Sequence, residues 1–325
     1  MSISLRRRAS ARRGFGSQVR SRRLTPEALE SRRLLAGDVD VFERRGDIFV
    51  IGDRDDNSLE LRVESSGQLV AVGLDGTTIN GSSEPFVVSE EGFIEDDLRV
   101  NLGGGDDRFL VDGVSVGDDV SINAGRGDDA IGFLRVEVGD DASIYGTSGS
   151  LNFSFDISNV QDDLRVVGSR EDDVIVFEDS FVGDDTTVLT SRGEDTVIVR
   201  NSVHRDDVYL STGAEDDFIA VIGTEIGDDA FLFTGSGDDA VAIEGGSLGD
   251  RVFALGGRGT DAIQLTDVDL NENRTPFVFG FEGEEVAEVD SVVDAAIADL
   301  VDSGARRPTL VDIATGNEDF STLVS

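Results

Sequence analysis

Hydrophobic and polar positions between Glu95 and Leu270 follow a 22-residue period. Seven of the eight periods open with an Asp-Asp pair and the last with Asp250 alone; each then alternates apolar with polar residues, passes through a turn that is usually rich in Gly and Asp, and alternates again, as from Gly117 to Phe133. Alternation with period 2 predicts β-strands, and Gly and Asp between them are turn residues because both tolerate positive φ. Eight such units follow one another, with an opening Asp at Asp96, Asp118, Asp140, Asp162, Asp184, Asp206, Asp228 and Asp250.

Two predicted strands and two turns in each unit match one coil of a β-solenoid. A propeller blade needs four strands and about 40 residues or more. We therefore predict an all-β, parallel β-solenoid (β-helix) of about eight 22-residue coils, stacked ~4.8 Å apart over ~38 Å. Two apolar columns are expected to form its core. They are Phe109, Ile131, Phe153, Ile175, Val197, Ile219, Val241 and Ile263, and Val100, Ile122, Ile144, Val166, Val188, Leu210, Leu232 and Ala254.

The segments on either side of the repeats, residues 38–94 and 271–325, lack the 22-residue register. The first alternates at Val39–Phe42, Asp47–Ile51, Leu59–Val63 and Gln68–Val72, which predicts an N-terminal β-strand cap for the solenoid edge. In the second, one face of a helix between Glu284 and Ser303 collects apolar residues: Val286, Val289, Val293, Ala296, Ile297 and Leu300. We predict a C-terminal cap in which this amphipathic helix covers the last coil.

Composition restricts the partners. The chain has 67 acidic and 28 basic residues, all of the latter Arg, and its net charge is −39. Residues 38–325 alone carry −47, which repels nucleic acid and anionic membranes and attracts cations. No Cys is present, so disulfides and thiolate metal sites are excluded.

Residues 1–37 form a basic segment with ten Arg. Its first part, residues 1–24, contains no apolar run, so it forms neither a standard signal peptide nor a membrane span. Thr25, Pro26 and Gly37 are suited to bound a short helix between them. Residues 29–35 within it read Leu-Glu-Ser-Arg-Arg-Leu-Leu and resemble the LEPR-XLL segment of planctomycete surface and secreted proteins, with Ser31 in place of the family's Pro. The resemblance implies a sorting or leader segment and an extracellular or cell-surface location.

The glycine-rich turns resemble the calcium-binding nonapeptide G-G-x-G-x-D-x-U-x of RTX proteins. Gly256 to Gln264 fits every fixed position, including Gly256, Gly257 and Gly259, and three other turns lack only the first Gly. In that family, turn carbonyls and the sixth-position Asp of stacked turns share Ca²⁺. The resemblance implies calcium ligands at Asp107, Asp129, Asp173, Asp195, Asp217, Asp239 and Asp261. RTX coils are shorter, however, only one side of each coil carries the motif here, and Leu151 interrupts the column.

Electrostatics also favours a cation. Carboxylates ~4.8 Å apart repel by about 0.9 kcal/mol in water and ~3.5 kcal/mol at an effective dielectric constant of 20. Oxygen ligands select Ca²⁺ over zinc or copper. The alternative is a metal-free structural solenoid whose turns are neutralised by Arg126, Arg170, Arg192 and Arg258. The opposite turn, with Asp96 and its equivalents, lacks the glycine spacing, so weak or no binding is expected there.

Catalysis is not expected. The acidic residues belong to a uniform repeat, whereas catalysis needs one perturbed acid, one base and one pocket. His204, the single His, falls in a column otherwise filled by Val, Ile or Leu and is interpreted as a residue at the core edge. We expect a non-enzymatic, exported, calcium-binding protein with a structural or adhesive role, whose further partner is a surface polysaccharide or another surface protein. The alternative is a carbohydrate-active β-solenoid that binds or cleaves polysaccharide.

Overall fold

The computed structural model describes residues 37–270, 275–283 and 289–306. The LEPR-XLL-like segment and the helix predicted around it lie outside the described residues. Seven strands precede or open the repeats: β1 (Asp38–Arg44), β2 (Asp47–Ile51), β3 (Ser58–Val63), β4 (Leu69–Gly73), β5 (Thr78–Ile79), β6 (Phe86–Ser89) and β7 (Phe93–Ile94).

The repeats themselves contain three strands in each coil. The first four coils contain β8 (Leu98–Asn101), β9 (Arg108–Asp112), β10 (Ser115–Val116), β11 (Val120–Arg126), β12 (Asp129–Leu134), β13 (Glu137–Val138), β14 (Ala142–Ser148), β15 (Leu151–Asp156), β16 (Asn159–Val160), β17 (Leu164–Val167), β18 (Val174–Glu178) and β19 (Phe181–Val182). The next four contain β20 (Thr186–Leu189), β21 (Thr196–Arg200), β22 (Val203–His204), β23 (Val208–Ala214), β24 (Phe218–Ile222), β25 (Glu225–Ile226), β26 (Ala230–Ser236), β27 (Ala240–Glu244), β28 (Ser247–Leu248), β29 (Val252–Arg258), β30 (Asp261–Thr266) and β31 (Asp269–Leu270). Beyond them come β32 (Phe277–Phe279), β33 (Phe281–Gly283) and the helix α1 (Val289–Ser303).

The coils stack into three sheets, and the predicted solenoid is confirmed. Sheet I has 12 strands and takes the first strand of each coil, sheet II has 12 and takes the second, and sheet III has nine and takes the third. Pairing between coils is parallel and keeps the 22-residue register of the repeat, for example Val120 with Ala142 and Ile131 with Phe153. The prediction of two strands per coil is wrong, because a strand as short as β13 cannot show alternation.

The core lies in the space enclosed by the three sheets. Both predicted apolar columns are buried, with no member more than 8% exposed. Sheet III adds a third column, among them Val116, Val138 and Val160. Around the third coil the core is aromatic, and the ring centroids of Phe153 and Phe177 are 6.1 Å apart, edge to face. Stacking of identical positions therefore supplies a continuous apolar column along the axis.

Antiparallel strands precede the first coil. β1 pairs antiparallel with β2, and β4 pairs antiparallel with both β3 and β6. β2 and β3 then pair in parallel with β8 and β9, the first two strands of the repeats. Buried side chains such as Val39, Leu59 and Leu69 continue the core into this region, so the first coil has a paired neighbour instead of an open edge.

Helix α1 lies elsewhere than predicted. Its apolar side chains pack on the outer face of sheet II, against residues that include Val176, Ile198 and Ala242, and not across the end of the last coil. Its carboxyl end reaches the second coil, where a Cβ on Gly132 would come within 1.7 Å of the Ala305 carbonyl. Small side chains on the outer face of sheet II make room for the helix. The hydrophobic pattern of the helix sequence alone does not predict this docking position. The strands β32 and β33 pair with the last coil instead.

Candidate cation-binding ladders

The seven aspartates predicted as calcium ligands point into the solenoid. We call Asp107, Asp129, Asp173, Asp195, Asp217, Asp239 and Asp261 the inner ladder; each is at most 3% exposed. The Oδ1 atom of each accepts a hydrogen bond at 2.7–3.1 Å from a backbone N–H, which belongs to Asn57 for Asp107 and to the preceding coil for the others, as Asp217 Oδ1 does from Asp195. Hydrogen bonds to a carboxylate are strong, so the inner ladder joins the coils along their glycine-rich turns.

The second carboxylate oxygen, Oδ2, is buried in most members of the inner ladder without a hydrogen bond of its own. Oδ2 of Asp107, Asp195, Asp217, Asp239 and Asp261 has no hydrogen-bond partner among the described residues. Beside three of them lie buried threonines, whose hydroxyls donate to the next coil's carbonyl, as from Thr190 to Thr212 at 2.9 Å. The same hydroxyls are close enough to limit the rise in carboxyl pKa.

Burial raises the pKa of six inner-ladder carboxyls, namely Asp107, Asp129, Asp173, Asp195, Asp217 and Asp239. Loss of hydration is the main cause, and nearby carboxylates add to it. The pKa is about 7 for Asp107 and Asp129, about 6 for Asp173 and Asp217, and about 8 for Asp195. At neutral pH the inner ladder is therefore divided between protonated and charged carboxyls. One partly protonated oxygen per coil is a sparse ligand set for Ca²⁺, which takes 6–8 oxygens.

The glycines of the nonapeptide have backbone roles in this fold. Gly257 and Gly259 have φ of +108° and +139°, a region that side chains with a Cβ rarely adopt. A Cβ on either residue would also lie within 2.0 Å of a carbonyl oxygen in the coil below. A Cβ on Gly256 would come 2.5 Å from Asp261 Oδ2. The motif is thus accounted for by close coil stacking, and calcium binding by these residues stays a prediction.

Groups of carboxylates occur at the opposite turn. We call the pairs Asp118–Asp119, Asp140–Asp141, Asp162–Asp163, Asp184–Asp185 and Asp206–Asp207, together with Asp228, the acidic turns. Each pair joins the first Asp of the next coil in a group of three whose potential ligand atoms lie within 4.8 Å of one another, such as Asp140, Asp141 and Asp162. Because consecutive groups share an Asp, the acidic turns form a continuous run of oxygen ligands.

Backbone hydrogen bonds hold the acidic turns in position. Oδ1 of the second Asp in a pair accepts the N–H of the second Asp in the next coil at 2.9–3.2 Å, as from Asp163 to Asp141. The first Asp of each pair is exposed or half-buried. A cleft of about 250 Å³ opens beside Asp97, Asp119 and Asp141. The ligands are therefore fixed by the fold and reachable from solvent.

Loss of hydration and, after it, mutual repulsion raise the pKa of carboxyls in the acidic turns. Partial loss of hydration, followed by the charge of Asp141, raises the pKa of Asp140, and the same order of causes holds for Asp118, Asp162 and Asp228. A hydrogen bond with Asp206 is the first cause of the raised pKa of Asp184. A bound cation would relieve this repulsion.

Arginine side chains do not neutralise the inner ladder or the middle of the acidic turns. Arg126, Arg170, Arg192 and Arg258 are exposed and form no ion pair within the part of the chain that the structure describes. Two ion pairs lie near the two ends of the run of acidic turns: Arg99 pairs with Asp97, and Arg251 pairs with Asp229. The metal-free alternative required these four Arg to form ion pairs with the turn carboxylates, and the described residues contain none of those ion pairs.

His204 is a core residue. It is 1% exposed, its Nδ1 lies 2.6 Å from the Thr186 hydroxyl, and its ring meets Phe177 edge to face. Burial lowers its pKa to about 4, so the imidazole is neutral at pH 7. Its position inside the solenoid offers no access to a substrate.

The sequence reasoning missed the acidic turns as the place where three carboxylates converge. The signal was present as two adjacent Asp columns with the same 22-residue period, because parallel stacking brings neighbouring columns into triangles. Comparisons with protein-family models, curated proteins and solved structures return no match to this chain. Among the described residues, none of the helices has the length and apolar character to cross a membrane.

Proposed function

We propose that this protein is a non-enzymatic, exported β-solenoid that binds Ca²⁺ along its acidic turns and has a structural or adhesive role at the cell surface. The observation that carries the proposal is the run of overlapping three-carboxylate groups, each within 4.8 Å. Hard oxygen ligands on a fixed backbone favour Ca²⁺, which accepts carboxylates in variable geometry. A cation shared between coils would join them by the same oxygens that otherwise repel.

Two features support a structural role over catalysis. The carboxylates repeat uniformly instead of forming one distinct pair, whereas an acid–base mechanism needs two groups with different environments. The only His is buried and neutral at pH 7. Export rests on the resemblance of Leu29 to Leu35 to the LEPR-XLL segment.

Calcium titration by isothermal calorimetry tests the proposal. We expect saturable binding of several Ca²⁺ ions per chain to the chelator-treated protein at pH 7.5, because the groups of three recur along the solenoid. Magnesium should bind more weakly, since it requires near-octahedral geometry and gives up water reluctantly. Heat that sodium chloride of equal ionic strength reproduces would indicate charge screening only and would contradict specific binding.

A further inference from the structure

Large apolar side chains cover part of the outer face of sheet I over the last coils. In-register pairing of β23, β26, β29 and β32 arranges them in two columns. We call these residues the aromatic strip: Tyr209, Phe231, Phe253 and Phe277 in one column, and Phe233, Leu255 and Phe279 in the other. Phe277 and Phe279 are 53% and 49% exposed, and Tyr209 is 37% exposed. Together the seven residues form a contiguous, partly exposed apolar patch.

The fold itself does not require these aromatic residues. In earlier coils the first column contains polar side chains at the same register, namely Arg99, Ser121, Ser143, Arg165 and Thr187. The strands keep the same parallel pairing on both sides of the change from Thr187 to Tyr209. Among the repeats, aromatic residues in the first column are therefore confined to the last coils, whereas the second column already contains Tyr145 in an earlier coil.

The rings lie close together along the solenoid axis. Five ring pairs of the strip have centroids 4.4–6.3 Å apart, and among them Phe253 and Phe277 are stacked at 5.4 Å with 15° between their planes. A cleft of about 360 Å³ opens between Phe231, Phe253 and Phe277. Asp250, Arg251 and Thr275 also line the cleft and supply polar atoms beside the rings.

We propose that the aromatic strip binds a neutral polysaccharide chain lying along the solenoid axis. Apolar C–H faces of sugar rings stack on aromatic rings, and sugar hydroxyls donate to carboxylates and accept from guanidinium groups. The first column offers one ring in each coil, so a glycan that lies along the axis meets successive rings. The chemical class recognised is a β-glycan with equatorial hydroxyl groups.

Size and charge decide against other occupants. The strip covers roughly 200 Å² at ~4.8 Å per coil, whereas a stable protein interface buries about 800 Å² on each partner. A second copy or an anionic glycan would also meet the acidic body of the chain.

This inference is independent of calcium binding. None of the seven strip residues belongs to the acidic turns or the inner ladder, and a neutral glycan has no charge that Ca²⁺ could bridge to a carboxylate. Loss of calcium binding and loss of glycan binding are therefore distinguishable results.

Affinity electrophoresis in native gels containing hydroxyethylcellulose tests the proposal. We expect the wild-type protein to be retarded, and Phe231→Thr/Phe253→Thr to weaken the affinity by about tenfold or more through loss of two stacking rings. Thr is chosen because Thr187 occupies the same column in an earlier coil. A single Tyr209→Thr variant extends this polar column by one coil and should weaken binding less.

The control is a second aromatic pair on the same protein. Phe42 and Phe49 stack at 5.1 Å on β1 and β2, and Phe42→Thr/Phe49→Thr should leave the retardation unchanged. Equal mobility of the wild-type protein with and without glycan would overturn the proposal, as would equal loss in the control or unchanged binding by Tyr209→Thr and the double variant. A dimer in sedimentation that Phe231→Thr/Phe253→Thr dissociates, without glycan retardation, would identify a second copy as the occupant instead.

Discussion

In the presence of a calcium chelator, the solenoid is expected to unfold at a higher urea concentration at pH 5 than at pH 8. Burial raises the pKa of the inner carboxyls to about 6 for Asp173, about 7 for Asp129 and about 8 for Asp195, from an ordinary value of 3.8. The folded protein therefore holds these protons more tightly than the unfolded chain. The resulting stabilisation is complete below about pH 4 and is lost as the pH rises through 6 to 8.

Asp195→Asn isolates one carboxyl of this ladder. The amide keeps the oxygen that accepts the Asp173 N–H, but it cannot acquire a buried charge. Each pKa unit corresponds to about 1.4 kcal/mol, so we expect the stability of the variant relative to the wild type to increase by on the order of 4 kcal/mol between pH 5 and pH 8. Chemical denaturation at both pH values measures this difference.

The matched control for that substitution removes a surface charge. Glu225 is exposed on β25, so Glu225→Gln lowers the net negative charge equally and should change stability by less than about 0.5 kcal/mol. If the wild type were no less stable at pH 8 than at pH 5, or if Asp195→Asn were destabilising at pH 8, the inner carboxyls would not titrate as described.

Calcium is expected to raise the free energy of unfolding at pH 7.5, and the acidic turns are expected to carry most of the increase. A ligand that binds only the folded state adds RT ln(1 + [Ca]/Kd), about 2.7 kcal/mol per site at a hundredfold excess over Kd. Asp184 and Asp206 together take part in three of the three-carboxylate groups. Asp184→Asn/Asp206→Asn should therefore remove about half of the calcium-dependent increase, measured by urea unfolding with and without Ca²⁺.

The same two coils provide the control. Asp195→Asn/Asp217→Asn changes the inner ladder in the coils that contain Asp184 and Asp206, and it should leave the calcium-dependent increase nearly intact. The reverse result, loss with the inner pair and retention with the outer pair, would support the nonapeptide prediction and contradict binding at the acidic turns. Equal loss in both variants would indicate general screening of the acidic surface.

The fold was largely predictable from the sequence because the period and the alternation are both properties of a stacked strand. The columns that begin at Phe109 and Val100 are buried as expected. The third strand of each coil was not predictable, since a pair such as Glu137 and Val138 cannot display a period. The position of α1 depends on small residues such as Gly132 and Ala220 on the outer face of sheet II, which the helix sequence does not encode.

The candidate site was predictable only in part. The sequence identifies the Asp columns, but the direction of each side chain depends on the turn conformation. In the glycine-rich turns, positive φ at residues such as Gly257 accompanies an inward-pointing Asp261 that binds a backbone N–H. In the acidic turns, convergence depends on the lateral spacing of two adjacent columns across coils. The turn conformation and the distance between adjacent Asp columns cannot be derived from the spacing of a motif along the sequence.

A crystal structure of the protein soaked with calcium, with anomalous differences recorded to locate the ions, tests the central claim most directly. Binding at the acidic turns predicts anomalous peaks between successive coils beside groups such as Asp162, Asp163 and Asp184, in a row along the solenoid axis. Peaks beside Asp239 and Asp261 inside the glycine-rich turns, or no peaks at a saturating calcium concentration, would contradict it.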